Sequence, residues 1–577
     1  MMLQRILVTI ILIPLLAAAS NAASAAVSFS GLDDDLEKNA RALMPLASIP
    51  CDTPGWRVER LFRDTDRQLQ NALEALGYYR FEVEKQLSFD GADCWSAEFA
   101  VTLDEPVRIR DISVSIDGEA EDDSGFVAVG SEPRPKPGDI LDHAAYERYK
   151  HSILSRLIAR GYLDAEQIDS SVVVSKSLAH ADINIHIVSG PRYQFGDTTF
   201  NDGILTQKLL AGYVKFNKGD PYDAGQISKL YESLNGSGYF DSVSITALPV
   251  EGGGQLVPII VSLTPAKRRI YTVGAGFATD TGVQGRLGYT NRRRNQNGHQ
   301  FDARLFMSQV ESELTGTYRW PRGRPDKEWA SLYGGFLRKR TDTSNSNKTT
   351  IGVRVARNRS ENWLETPYID FSNEDFIVAD QKDTSRLLTP GITWETTVGR
   401  ELRRVASGRR ISFDLRGAYD KLLSDTTFFQ ATASSKWITT FGKSTRFLAR
   451  ADLGTTVSEN FGQLPATVRF FTGGDTSVRG YDFESIGPVD SDGEVTGGEN
   501  LIVLSIEADW LIAKNWAVAV FADTGTAFMG TNPDFKTGVG LGVHWYSPIG
   551  PVRIDFAHPL DNPEQDYRLH ITFGPDL

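Results

Sequence analysis

Gly473-Gly474-Asp475-Thr476-Ser477-Val478-Arg479-Gly480-Tyr481 interrupts a run of alternating sequence. Before it, Arg446, Arg450 and Asp452 alternate with Phe447, Ala449 and Ala451; after it, Ser505, Glu507 and Asp509 alternate with Ile506, Ala508 and Trp510. Alternation with period two places successive side chains on opposite faces of a strand, here one apolar and one charged. Arg553 and Asp555 against Val552, Ile554 and Phe556 repeat the pattern near the end. A segment spanning about residues 458–500 that breaks this alternation, with glycines around one arginine, reads as a lid folded into a barrel of membrane strands.

Working outward, alternation replaces helical periodicity from about Ile270 onward. A soluble sandwich would alternate too, but an exported chain, many such runs, polar loops such as Thr341 to Thr350 and aromatics near strand ends fit an outer-membrane barrel. Residues 268–577, at about 19 residues per strand with its loop, allow about 16 antiparallel strands. Closure is required because hydrocarbon cannot satisfy an open backbone ladder.

Upstream, the pattern is a repeat. Leu73-Glu74-Ala75-Leu76-Gly77-Tyr78-Tyr79, then Leu154, Leu157 and Ile158 before Gly161-Tyr162, then Leu230 and Leu234 before Gly238-Tyr239-Phe240, each end a helix on glycine and an aromatic. Glycine supplies the left-handed cap, and the aromatic folds back onto the core. The stop glycines are 84 and 77 residues apart, and Gly138-Asp139 and Gly219-Asp220 mark lead-in turns of the second and third units. The expected domains are 26–106, 107–191 and 192–267. They resemble polypeptide-transport-associated (POTRA) domains, small α+β modules with two helices over a three-stranded sheet. The edge of such a sheet offers unpaired backbone groups to which an extended client segment can add; the alternative is that the repeats are spacers or barrel supports.

Met1 to Ala25 has a basic start at Arg5, an apolar run from Ile6 to Ala18 and small residues around Ala22 to Ala26, the pattern of a secretory signal peptide, 1–25. The apolar run is shorter than the roughly 20 residues of a spanning helix. Cys51 and Cys94, an even pair in an exported chain, read as a disulfide rather than a redox pair, which is more often close-spaced. The net charge of -13 excludes a phosphate-tracking nucleic-acid surface, and Arg292-Arg293-Arg294 and Arg403-Arg404 read as solvated loop or lumen charges. Eight histidines without metal-ligand spacing, and no Gly-x-Ser-x-Gly, point to no metal, no cofactor and no enzyme.

The three repeats, Val478-Arg479-Gly480-Tyr481, Phe521-Ala522-Asp523-Thr524-Gly525 and the stretch from Gly538 through Tyr546-Ser547-Pro548-Ile549-Gly550-Pro551 to Asp555 together resemble the BamA/TamA outer-membrane assembly-factor superfamily over nearly the whole mature chain. Three repeats, Val273-Gly274-Ala275-Gly276-Phe277 with Asp280-Thr281-Gly282, and the ending Phe573-Gly574-Pro575-Asp576-Leu577 are similar to its TamA-like members. The resemblance implies that Arg479 contacts acidic residues of the barrel wall. Trp516, Val518 and Val520 share one face, which leaves Ala517, Ala519, Phe521 and Asp523 on the lumen side; Asp523 is therefore the expected partner, with Asp555 the alternative. Gly538, Gly540 and Gly542, inward with His544, are expected to leave room for the lid.

Barrel closure must join a first strand around Tyr271 to Phe277 with a last strand around Tyr567 to Phe573. Gly274 and Gly276 bring no side-chain packing and Pro575 has no amide hydrogen, so a ladder cannot continue through Gly574-Pro575. Tyr271, Gly274, Gly276, Phe573, Gly574 and Pro575 are thus expected to flank a lateral seam that opens and templates client strands. The resemblance implies an outer-membrane location with the repeats in the periplasm, client outer-membrane proteins such as autotransporters, and a TamB-like partner anchored in the inner membrane. The competing function is a gated channel or secretion pore.

Overall fold

The structure, a computed structural model, describes residues 26–89, 94–123, 135–177, 179–201, 203–249, 254–360, 362–399, 404–442, 444–548, 550–561 and 567–574. The expected signal peptide and Pro575 lie outside them.

Three small sheets come first. β1 (Ala26–Ser30), β2 (Phe81–Ser88) and β3 (Ser96–Leu103) assemble in the order β1-β3-β2. β4 (Arg108–Asp117), β5 (Glu166–Ser175) and β6 (His180–Val188) follow as β4-β6-β5, and β7 (Gln194–Asn201), β8 (Phe240–Ala247) and β9 (Leu256–Pro265) as β7-β9-β8. The last strand of each takes the centre; in the first two sheets it runs parallel to the first strand and antiparallel to the second. Helices lie between the first and second strands in sequence: Asp34–Leu43, Gly55–Arg63 and Thr65–Glu74, then His143–Ala159, then Gln207–Ala211 and Ala224–Gly236. Leu69, Leu73, Trp95 and Phe99 are buried in the first core, and Ile153, Leu157, Tyr162 and Ile185 in the second. Cys51 and Cys94 are joined, closing a separation of 43 residues within the first unit.

The glycine-aromatic stops act as joints. Tyr78 N–H donates to Leu73 C=O at 2.9 Å and Tyr162 N–H to Leu157 C=O at 3.0 Å, across Gly77 (φ +91°) and Gly161 (φ +101°). These are Schellman closures, which need the left-handed conformation glycine adopts without strain. The same two glycines then receive the next segment: Gly77 C=O accepts from Val107 N–H and Gly161 C=O from Tyr193 N–H, both at 2.8 Å. A Cβ on Gly77 would stand 2.7 Å from Leu141 O and one on Gly161 3.0 Å from Tyr222, the residues three positions after Gly138 and Gly219. Each lead-in turn therefore seats on the helix stop before it.

The remaining strands are β10 (Arg269–Ala278), β11 (Gly282–Asn291), β12 (Gln300–Met307), β13 (Glu311–Pro321), β14 (Glu328–Arg340), β15 (Ser344–Asn358), β16 (Trp363–Val378) and β17 (Gln381–Val398). They continue with β18 (Gly408–Ala418), β19 (Phe428–Phe441), β20 (Thr445–Ser458), β21 (Asn500–Ala513), β22 (Trp516–Phe528), β23 (Lys536–Ser547), β24 (Gly550–Pro559) and β25 (Arg568–Phe573). These 16 strands close in sequence order into an antiparallel barrel. Outward-pointing Trp516, Val518, Val520, Leu541, Val543 and Trp545 are exposed, as lipid-facing side chains must be, whereas Ala517, Ala519, Phe521, Asp523 and His544 are buried inside. Trp516 stacks on Trp545 at 5.9 Å near the repeat-side rim, part of an aromatic girdle.

The polar stretch 341–350 is a loop only as far as residue 343. Ser344 to Thr350 belong to β15, paired with the ends of β14 and β16 (Arg340↔Asn345, Ser344↔Val378). Strands that rise above the lipid have two wet faces there, so polar composition does not end the ladder. At the other rim the third repeat's helices meet barrel turns: Thr206 N–H donates to Gln296 O at 2.9 Å, Tyr239 O–H to Gly298 O, and Lys215 pairs with Asp326.

Candidate functional site: the lid and the seam

The chain between Ser458 and Asn500 contains no barrel strand and folds inside the wall. Its motif is fixed at Arg479. The guanidinium grips Asp523 bidentately, Nε at 2.7 Å and Nη2 at 3.0 Å, and the Arg479 backbone N–H adds a third bond to the same carboxylate at 3.1 Å. Nη1 reaches Asp555 and Glu507, each at 2.9 Å, and the guanidinium lies 3.4 Å from the centre of the Phe521 ring. Such charge-assisted bidentate pairing is stronger and more directional than neutral hydrogen bonding, and the cation–π contact adds to it. Both expected partners, Asp523 and Asp555, are thus engaged at once. Glu507 is a third, unassigned from sequence although it lies on the inward register of β21, opposite Phe521.

Small residues shape the cradle. A Cβ on Gly538 would stand 1.8 Å from Arg479 O, so this glycine makes room for the lid itself. Gly540 and Gly542 do so indirectly: their missing side chains are replaced by the Phe521 ring and the Asp555 carboxylate, which then touch Arg479. His544 orients Asp555 at 3.1 Å, and Ser505 O–H donates to Asp523 at 2.6 Å. Val478 is buried with Ile486, Val503 and Leu501, and Tyr481 O–H donates to Asp561 at 3.2 Å. Arg450 on β20 donates to the carbonyls of Thr476 and Ser477.

The seam is shorter than its neighbours. β10 pairs with β11 over ten positions and β24 with β25 over six, but among the described residues β10 meets β25 at one register pair, Ala278↔Thr572. Thr279 extends it by one residue, its N–H donating to Ile571 O at 3.1 Å and its Oγ1 accepting from Ile571 N–H at 2.6 Å. Tyr271, Gly274 and Gly276, expected at the seam, are paired with β11 (Tyr271↔Tyr289, Gly274↔Arg286, Gly276↔Gln284) and not with β25. In the register set by Ala278↔Thr572, Gly276 falls opposite Gly574, one residue after Phe573 at the end of β25, and the position opposite Gly274 lies outside the described residues. Phe573 pairs instead with Val552, and Gly574 N–H donates to Pro551 O at 3.2 Å.

Against this geometry stand the comparisons with known proteins. Residues 269–575 match the Omp85 superfamily domain. The chain belongs to the Omp85 superfamily. Residues 26–103 match the POTRA domain called TamA domain 1, so this Omp85 chain is of the BamA/TamA type. It is 21% identical over 601 aligned positions to "Outer membrane protein assembly factor BamA" of Neisseria meningitidis, covering 89% of this chain and 73% of that protein. It is 22% identical to "Outer envelope protein 80, chloroplastic" of Arabidopsis thaliana, covering 70% of this chain and 58% of that one. In fold it is similar to BamA of Haemophilus ducreyi lacking POTRA domains 1–3, with a TM-score of 0.67 at 15% identity over 81% of this chain and 99% of the other. This Omp85 protein is an outer-membrane barrel with its POTRA domains in the periplasm.

A second ionic knot lies nearer the periplasmic rim, where fully buried Arg446 binds Asp509 at 2.7 Å and Tyr546 O–H at 2.6 Å. Arg404, read from sequence as a solvated loop or lumen charge, reaches the inner-wall Asp509 at 3.0 Å; Arg403 lies outside the described residues. Alternation put Arg446 and Asp509 on the inner wall, but a periplasmic loop folding up to meet them leaves no local signature. In the turn between β10 and β11, burial and then the nearby Asp475 charge push the Asp280 carboxyl up to about 6.

Proposed function

We propose that this protein is an outer-membrane protein assembly factor that inserts or translocates client β-barrel proteins, autotransporters among them, through the seam between β10 and β25. The observation that carries the reading is the one register pair found at that seam among the described residues, in a barrel whose other neighbours are zipped over many positions. Parting it gives up a few backbone bonds at about 1 kcal/mol net each in water and more in lipid. The freed edges of β10 and β25 then present unpaired donors and acceptors on which a client strand assembles. Client folding supplies the driving force, with no catalytic group and no nucleotide. The POTRA sheets, whose edge strands can accept an added strand, receive the client and a TamB-like partner on the periplasmic side.

A gated channel requires the lid to leave the lumen, and an arginine held by three carboxylates disfavours that at rest. The test is a disulfide between Ala278→Cys and Thr572→Cys in the full chain. The expected result is a folded barrel in which client outer-membrane proteins no longer accumulate until reductant is added; undiminished client insertion in the oxidised state overturns the reading.

A further inference from the structure

Four residues before Arg479, Asp475 spans the seam. Its Oδ1 accepts from Nδ1 of His570, a buried residue of β25. Its Oδ2 accepts from the Asp280 backbone N–H at 3.0 Å, on the turn that joins β10 to β11, and the Asp475 N–H donates in return to Asp280 Oδ2. The other nitrogen of His570, Nε2, accepts from Gly480 N–H at 2.9 Å. One acceptor and one donor fix His570 as the neutral ring with its proton on Nδ1. The lid backbone is shaped for this grip, since a Cβ on Gly474 (φ +103°) would stand 2.3 Å from the Asp280 carboxylate.

We propose that Asp475 is a positioning residue that clasps the first hairpin and the last strand together through Asp280 and His570, so that the lid, rather than the backbone ladder, holds the seam shut. This rests on the seam reading above. Two bonds from the carboxylate and one from its own amide add to the short backbone pairing described at the seam, and they join the same two elements. Seam opening and lid release then become one event: a lid that moves takes Asp475 with it, while a lid that stays keeps β25 beside β10.

The experiment is hydrogen exchange on the full-length protein in lipid nanodiscs, read in peptides covering residues 276–281 and 568–574. His570→Gln should speed exchange about tenfold on both sides of the seam, the factor expected for one lost charge-assisted bond, and Asp475→Ala, which removes two, by more than that. Peptides around Glu507 and Asp523 should keep their protection, because the Arg479 anchor is untouched; heat-dependent gel mobility verifies that each barrel is folded. Should Asp475→Ala not fold, Asp475→Asn, which keeps one of the two acceptor oxygens, should give a smaller increase on both sides. Unchanged exchange, or a change confined to one side of the seam, overturns the clasp. Failure of the seam as an insertion route registers separately, as undiminished client insertion in the Ala278–Thr572 disulfide form, and leaves the exchange result standing.

Discussion

Replacing Asp523 with alanine removes four hydrogen bonds from one buried carboxylate: two from the Arg479 guanidinium, one from the Arg479 amide and one from Ser505. Stranding one partner of a buried ion pair costs about 3–5 kcal/mol. Here the arginine keeps Glu507 and Asp555, so the lower end of that range applies, about 3 kcal/mol, which corresponds to roughly a hundredfold rise in the population of released lid. Glu507→Ala removes a single 2.9 Å bond and relieves some repulsion among the three carboxylates, so its effect should be smaller, about 1.5 kcal/mol or less. Arg479→Ala leaves all three carboxylates without their cation and should exceed every single carboxylate change. Limited proteolysis of the lid in intact outer membranes reads the released population, and a double-mutant cycle isolates the Arg479–Asp523 coupling. Lid protection unchanged in Asp523→Ala and in Arg479→Ala, or an effect of Glu507→Ala equal to that of Asp523→Ala, would refute the assignment of the anchor.

Gly538→Ala should loosen the lid while leaving the barrel folded, because its Cβ would overlap Arg479 O; protease susceptibility at residues 473–482 with normal heat-modifiability is the expected pair of readings. Asp280→Asn keeps an acceptor for the Asp475 amide and removes a like charge. Because the folded-state pKa of Asp280 is raised, its contribution to closure is present at low pH and lost as pH rises through about 6, so exchange protection of residues 276–281 should gain less from acidification in the variant than in the parent protein. Asp475, His570 and Arg568 also bear on Asp280 and are common to both proteins, so the difference between the two pH profiles reports Asp280 together with its coupling to them.

Strand faces were legible because lipid and lumen impose opposite chemistry with period two: Asp523 was placed inward by its neighbours Trp516, Val518 and Val520 before any fold was known. Which inward carboxylates meet Arg479 was legible only in part, since that depends on the stagger between strands. Glu507 is two strands from Asp555's neighbour β23, and no local pattern says that the lid arginine reaches all three. The glycines at 274 and 276 lie on the seam strand β10 as expected, but how far the two edges overlap depends on the stagger, which places Gly276 opposite Gly574, just after the end of β25 at Phe573. The stretch 344–350 reads as loop because polar residues above the lipid lose the apolar half of the alternation. The role of Asp475 has no local sequence signature, because its partners, on the first hairpin and the last strand, are brought to it by barrel closure.

The joints at Gly77 and Gly161 consist of main-chain atoms and an absent side chain. Such a coupling asks almost nothing of the surrounding sequence, so a whole module can be duplicated or deleted during evolution with its connecting geometry intact, and descendants of one ancestor can diverge in how many modules they carry without redesigning the hinge.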